Sequence, residues 1–550
     1  MTASLRHSKP LGPPLSGIVL RTAAPAICLA AVLLLPFLHN AYTIDDPLFL
    51  REAEHTLHDP LHPTAFPVVW NRDIVLRASA FLPGGPVVPF LLLPVVIGGE
   101  AEWIGHGLQI LYLAVTACGT VLLAMRCNLT EKQASMCALI TVSTPAVLGM
   151  AGTIMPDIAS LMFTVLALER LLGFRDERRL SSGLLATVWM VAAALTRSHL
   201  LLLVGPALLL LIDRSSVRWS WQAGRRLALS IWPVLVAPLL FVLFLRLTSD
   251  PLRDDLNIVH ALRTQTDSFY VRRNAIAFLV HWAFALPMAI PYLLIRGRNL
   301  PWRAFGVFLP FAAVELIRDL LGRSTLPFWI WGAGLLSALM LFDMVLQACR
   351  TRDRTRLSLC ACLFLGLAAL AYVHLPCKYL IPSVPAAAIL LVLAAPSVGP
   401  RYFAVVVALI AVGAAEGVLL LQGEKTLAAS MYNAVNTLVK PHIQAGQTVW
   451  YAGHWGFHWY AEHAGARPLT LNAPFPHRGD IIVVSRADEP HALEAVSRRK
   501  LLQVLVEAKP SIRIMDPNSR AGFFSNYWGA PLPLGWGSTP TNRFELWRVE

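Results

Sequence analysis

Apolar stretches of about 18 to 25 residues recur from Ile18 to Leu421, and each is long enough to cross a hydrocarbon core of about 30 Å. Lipid offers no partner to a backbone amide, so such stretches have to close their hydrogen bonds internally, as helices. The expected fold class is therefore an all-α polytopic transmembrane bundle. Composition points the same way: 56% of the 550 residues are hydrophobic and 14% are charged, against roughly 25% charged in soluble globular chains.

Length and hydropathy predict about thirteen spans, at 18–39, 103–125, 133–151, 154–173, 183–197, 199–213, 226–247, 274–295, 303–318, 326–348, 357–375, 379–395 and 401–421. The two short spans 183–197 and 199–213 meet at Arg197. The apolar stretch 81–97 is not counted, because Pro83, Gly84, Gly85, Pro86, Pro89 and Pro94 break it too often for a lipid-exposed helix. It reads as a re-entrant or surface-lying piece.

That exclusion sets the sidedness. With it, Arg126/Lys132, Arg175/Arg178/Arg179, Arg214/Arg218/Arg225/Arg226, Arg296/Arg298/Arg303 and the run Arg350 to Arg356 all fall on the cytoplasmic side, as the positive-inside rule requires. Residues 1–17, with Arg6 and Lys9 ahead of an apolar run and no convincing cleavage site, read as the cytoplasmic end of a signal-anchor. The transmembrane domain is expected over 18–421, with a first outer loop at 40–102. A soluble α/β domain is expected over 422–550, on the extracytoplasmic side. Its strands are predicted at 448–451, 481–485, 501–506 and 544–549, with helices over 425–439 and after Trp455.

The formal net charge of +13 is carried largely by short loops between spans, and no basic stripe interleaved with aromatics marks the tail, so nucleic acid is not an expected partner. All eight Cys lie in or beside apolar spans, which implies neither a disulfide framework nor zinc spacing.

Polar residues that need a reason collect on the outer face. The first loop opens with Tyr42-Thr43-Ile44-Asp45-Asp46-Pro47, where two adjacent carboxylates emerge beside hydrocarbon ahead of a short amphipathic helix. One reading is that Asp46 caps that helix; the other is that at least one of the pair is reactive. Asp157 follows Pro156 at an outer helix start, where a carboxylate also suits the helix dipole. Arg197 and Lys378-Tyr379 sit at outer turns and offer positive charge and a hydroxyl to an anion, although a lone Arg there can also be an interface anchor. Arg72, Arg263, Arg272 and Arg273 lie in outer loops as further candidates. Glu52 and His55 share one helix face, which with Asp46 makes a candidate site for a divalent cation; solvated histidines are the plainer account. The aromatic segment Gly453-His454-Trp455-Gly456-Phe457-His458-Trp459-Tyr460 can form a domain core or face a sugar ring.

The acidic pair after the first span, Pro156-Asp157 opening another, Leu195-Thr196-Arg197 between two short ones and Lys378-Tyr379-Leu380-Ile381-Pro382-Ser383 opening a late one together resemble the GT-C glycosyltransferases. The likeness is to the family 39-like group of protein O-mannosyltransferases and aminoarabinose transferases. This chain has Asp45-Asp46 where that group commonly has Asp-Glu, and His62-Pro63 where it often has Lys-Pro-Pro or His-Pro-Pro.

The resemblance implies an inner-membrane enzyme that takes a monosaccharide from a polyprenyl-phosphate donor and passes it, with inversion, to an envelope acceptor. Asp45 would be the base. Asp46 or Asp157 would orient the acceptor or hold a divalent cation, and Arg197, Lys378, Tyr379 and Arg72 would meet the phosphate. Membrane lipid and the polyprenyl-phosphate donor are the implied partners. A lipid or glycan flippase, and a glycan-binding envelope assembly protein, are the rival classes.

Overall fold

The computed structural model describes residues 15–70, 74–80, 87–212, 221–250, 268–300, 327–395, 399–471, 474–486, 492–506, 511–526, 531–540 and 542–550, with scattered positions within 306–321. Arg72, Arg263 and most of the expected span 303–318 lie outside the described residues.

Among the described residues, five helices are long and apolar enough to cross a membrane: Gly17–Phe37, Glu102–Arg126, Gly224–Thr248, Phe328–Thr351 and Pro400–Gln444. Several other expected spans are broken, two of them at prolines. The stretch 133–151 bends by 58° between Glu131–Ser143 and Pro145–Ala151. Pro145 drives Thr144 out of the helical region, to φ −60° and ψ 127°, and then starts the next helix itself. The stretch 379–395 begins as a 3-10 turn, Cys377–Ser383, and becomes an α-helix only at Val384–Leu393. Likewise 357–375 is a helix only over Arg354–Cys362 before it turns. Helix Val87–Ile97 has 11 residues and covers about 16 Å, roughly half of a hydrocarbon core.

The helix Glu102–Arg126 gives the molecule a ruler. Its 25 residues extend about 37 Å. Near its first turn, Glu102 accepts a hydrogen bond from Tyr460 Oη of the C-terminal domain at 2.9 Å. At its other end, Arg126 pairs with Glu169 at 2.6 Å and Glu177 at 3.1 Å. The Arg126 cluster and the C-terminal domain therefore sit a bilayer's thickness apart.

The last long helix, Pro400–Ala434, runs on through a π-turn, Val435–Val439, to Gln444, crossing the expected boundary at 421/422 without a linker. Beyond it lies a five-stranded mixed sheet. Strand order is Arg467–Pro468, Val449–Ala452, Ile481–Ser485, Arg543–Val549, Arg499–Val506. The first two pairings are parallel and the last two antiparallel. Ile481–Ser485 is central and buried at every position, as a continuous apolar run predicts. The Arg499–Val506 edge alternates little and is mostly exposed.

The aromatic segment of the tail is a docking core. Helix Trp455–His463 buries Phe457 and Trp459, and Trp459 meets Tyr42 edge-on at 6.1 Å. Tyr460 Oη accepts from the Tyr42 amide at 2.8 Å. A Cβ on Gly456 would stand 2.1 Å from the Tyr42 carbonyl oxygen, so the tail backbone touches the loop that carries the acidic pair.

Candidate active site

The acidic pair divides into a scaffold residue and a free one. Asp46 is fully buried and begins helix Asp46–Thr56. One of its oxygens accepts the Thr43 amide at 3.2 Å and the other the Ile154 amide at 3.0 Å. It thus ties the first outer loop to the turn before Asp157, and burial pushes its carboxyl up to about 8. Each oxygen accepts one backbone amide, so Asp46 serves as a tie within the scaffold of the site.

Asp45 occupies the N-cap position, yet its side chain makes no capping bond. Ile44, just before it, has φ +46°, a left-handed conformation that a β-branched residue rarely adopts. Such strain persists only where the surroundings hold it; here Thr43 is held by Asp46, and Tyr42 by Tyr460. The consequence is that the Asp45 carboxylate turns away from its own helix. A third of its side chain is exposed, and Oδ2 lies 3.8 Å from Lys378 Nζ, which is only 5% exposed.

Lys378 comes from the turn Cys377–Ser383. The contacts of its ammonium among the described residues are long ones: Asp45 at 3.8 Å and Met155 Sδ at 3.9 Å. Its neighbour Tyr379 lies under the Arg197 guanidinium, 5.7 Å from ring to charge, and beside His199 at 5.1 Å. Arg197 stands where helix Leu180–Thr196 ends in extended backbone and the 3-10 turn Ser198–Leu203 begins. It donates from Nε and Nη2 to Asp157, at 3.0 and 2.6 Å. Asp157 is 1% exposed and Arg197 17%. Asp157 therefore positions Arg197 and leaves Nη1 outside that pair.

Five expected residues, Asp45, Asp157, Arg197, Lys378 and Tyr379, are thus brought together at separations of 2.6 to 5.7 Å, although they come from four separate parts of the chain. Sequence reasoning missed the buttress behind them. Residues 523–526 of the tail press on the turn 374–379: Ser525 Oγ is 2.8 Å from His374 Nδ1, Asn526 Oδ1 accepts the Leu375 amide at 2.9 Å, and Cys377 Sγ reaches the Phe523 carbonyl at 3.5 Å. Asn526 also donates to Asn274 at 3.1 Å. No local motif announces this contact.

The expected cation group Asp46, Glu52 and His55 is not the one whose ligating atoms gather. Among the described residues, those that come within 4.8 Å of one another belong to Glu54, Glu100 and His463. Glu52 is buried, its Oε1 has no hydrogen-bond partner among the described residues, and burial raises its carboxyl to about 8. A folded value above the unfolded one near 4.5 means that the folded chain holds an extra proton between these two pH values. Stability is then lost as pH rises through that window, by up to about 1.4 kcal/mol per pH unit. Glu52→Gln is expected to flatten this slope and to raise the melting temperature at pH 8 more than at pH 5, measured by thermal unfolding in detergent.

The site thus sets one uncapped carboxylate, Asp45, near a buried ammonium, Lys378, and a half-buried guanidinium, Arg197. No family model matches the chain, and no curated protein matches it. Among solved structures the chain is similar to ArnT from Cupriavidus metallidurans bound to undecaprenyl phosphate, at 14% identity and TM-score 0.49, covering 90% of this chain and 97% of that one. It is also similar to the Archaeoglobus fulgidus oligosaccharyltransferase in the apo form (13%, TM-score 0.45, 82% and 64% covered). A third is the arabinofuranosyltransferase AftD from Mycobacteria (12%, TM-score 0.39, 98% and 40% covered). These neighbours are GT-C glycosyltransferases.

Proposed function

We propose that the chain is a membrane glycosyltransferase that moves a monosaccharide from a polyprenyl-phosphate carrier to an envelope acceptor on the outer face of the inner membrane. The observation that carries this reading is Asp45, an uncapped and accessible carboxylate set 3.8 Å from a buried ammonium. Phosphate is already a good leaving group, so transfer needs one base and a cationic seat and no second acid. Asp45 takes the proton of the acceptor hydroxyl as its oxygen attacks the anomeric carbon from the face opposite the phosphate. The carbon–oxygen bond to phosphate breaks, and its electron pair leaves with the lipid phosphate. Lys378 and Nη1 of Arg197, which lies outside the Asp157 pair, meet the developing charge in a site of low dielectric, with the Tyr379 hydroxyl as a further donor. A carrier with a long lipid tail reaches such a site only sideways from the bilayer.

The test is mass spectrometry of lipid-linked sugars and envelope glycans in cells lacking the chain. Loss of one sugar from an envelope glycan, with accumulation of its lipid-linked form, is the expected result. An unchanged glycan profile, together with lipid flux in proteoliposomes and no transfer, would identify a flippase instead.

A further inference from the structure

Away from the site, three ligating side chains meet where three separate elements converge. Glu54 comes from helix Asp46–Thr56, Glu100 from the turn after helix Val87–Ile97, and His463 from the last turn of helix Trp455–His463 in the tail. Each offers one ligand atom, and these atoms lie within 4.8 Å of one another. We propose that Glu54, Glu100 and His463 bind a divalent transition metal of the Zn2+ class, which clips the C-terminal domain to the first outer loop.

Three observations carry this. His463 Nδ1 is 2.7 Å from the Trp459 carbonyl oxygen, so the ring donates there. In its neutral form it then presents an Nε2 lone pair, and that atom faces Glu100 Oε2 at 3.1 Å. Donation from one ring nitrogen to a backbone carbonyl is how a metal-bound imidazole is held, and two facing acceptors call for a cation between them. Second, the Glu54 and Glu100 carboxylates face each other as well. Arg51 donates to one Glu54 oxygen at 3.0 Å, and a cation between the two carboxylates relieves their mutual repulsion. Third, Glu100 is delivered by strained backbone: its φ is +61°, after Gly99 at +76°. The Tyr42 hydroxyl fixes it through its carbonyl at 3.1 Å.

One imidazole and two carboxylates suit Zn2+ better than Mg2+ or Ca2+, which prefer all-oxygen sets. Glu54 lies nine residues beyond Asp45, roughly 13 Å along the helix from the acid that would act as base. The metal is thus a structural clip, and the inference stands apart from the proposed reaction.

The test uses the purified full-length protein, stripped with a chelator and titrated with ZnCl2 or MgCl2. Bound metal is measured by elemental mass spectrometry and the melting temperature by thermal unfolding. About one Zn2+ per chain is expected, with a rise in melting temperature that MgCl2 does not reproduce. His463→Gln and Glu100→Gln should each weaken Zn2+ binding by at least the roughly 10- to 100-fold that loss of a mere supporting contact brings. His463 is 39% exposed, so its substitution leaves the fold in place. Absence of stoichiometric Zn2+ in the wild type, or equal binding in both variants, would overturn the clip and leave a His463–Glu100 ion pair.

Discussion

Purified Asp45→Asn protein is expected to insert and fold normally while sugar transfer falls by about 10³-fold, within the range that removal of a general base produces. The amide is nearly isosteric, and Asp45 makes no capping bond whose loss would unsettle helix Asp46–Thr56. Asn cannot accept the acceptor proton, so the loss should appear in kcat rather than in KM for the lipid donor. Turnover in the variant near that of the wild type would remove Asp45 from the chemistry. Lys378→Met offers a contrast, because loss of the ammonium should weaken donor binding as well as turnover.

The second large effect concerns stability. Asp157→Asn removes the charge that faces Arg197 at 2.6 Å and leaves a guanidinium with little water around it. Breaking one side of a buried pair typically costs about 3 to 5 kcal/mol, so a large drop in melting temperature is expected. The double variant Asp157→Asn with Arg197→Met removes both charges. It should recover most of that stability and remain inactive, since the seat for phosphate is gone. A single variant as stable as the wild type would show that the pair is not needed to hold the turn at Arg197. Recovery of activity in the double variant would show that Arg197 has no part in transfer.

Much of this arrangement is legible in the sequence because hydrocarbon imposes a harsh filter. A carboxylate such as Asp45 or Asp157, or a cation such as Arg197 or Lys378, is costly beside lipid, so each stands out against its apolar surroundings. Strands such as Ile481–Ser485 and Arg543–Val549 follow from runs of β-branched and aromatic residues. The division of labour within the acidic pair was not legible. Whether Asp45 or Asp46 is free depends on the Ile154 amide, 108 positions away, and on the backbone of Ile44. The breaks in the stretches 133–151 and 379–395 were signalled by Pro145, Pro382 and Pro385, but hydropathy averaging over a span-length window hides a single proline. The Glu54, Glu100 and His463 group joins positions 46 and 363 residues apart, and no spacing rule reaches that far. The helical pattern instead favoured Glu52 and His55, which share a face but not a ligand.

The strap of residues 523–526 against the turn 374–379 has a consequence for how this architecture can diversify. Lys378 and Tyr379 owe their placement partly to a segment that arrives some 150 positions later. An exchange of tails between relatives would therefore not be the swap of an independent cassette. It would redraw one wall of the chamber around Asp45, so that, in the proposed reaction, selectivity for the incoming alcohol and grip on the departing lipid would change together.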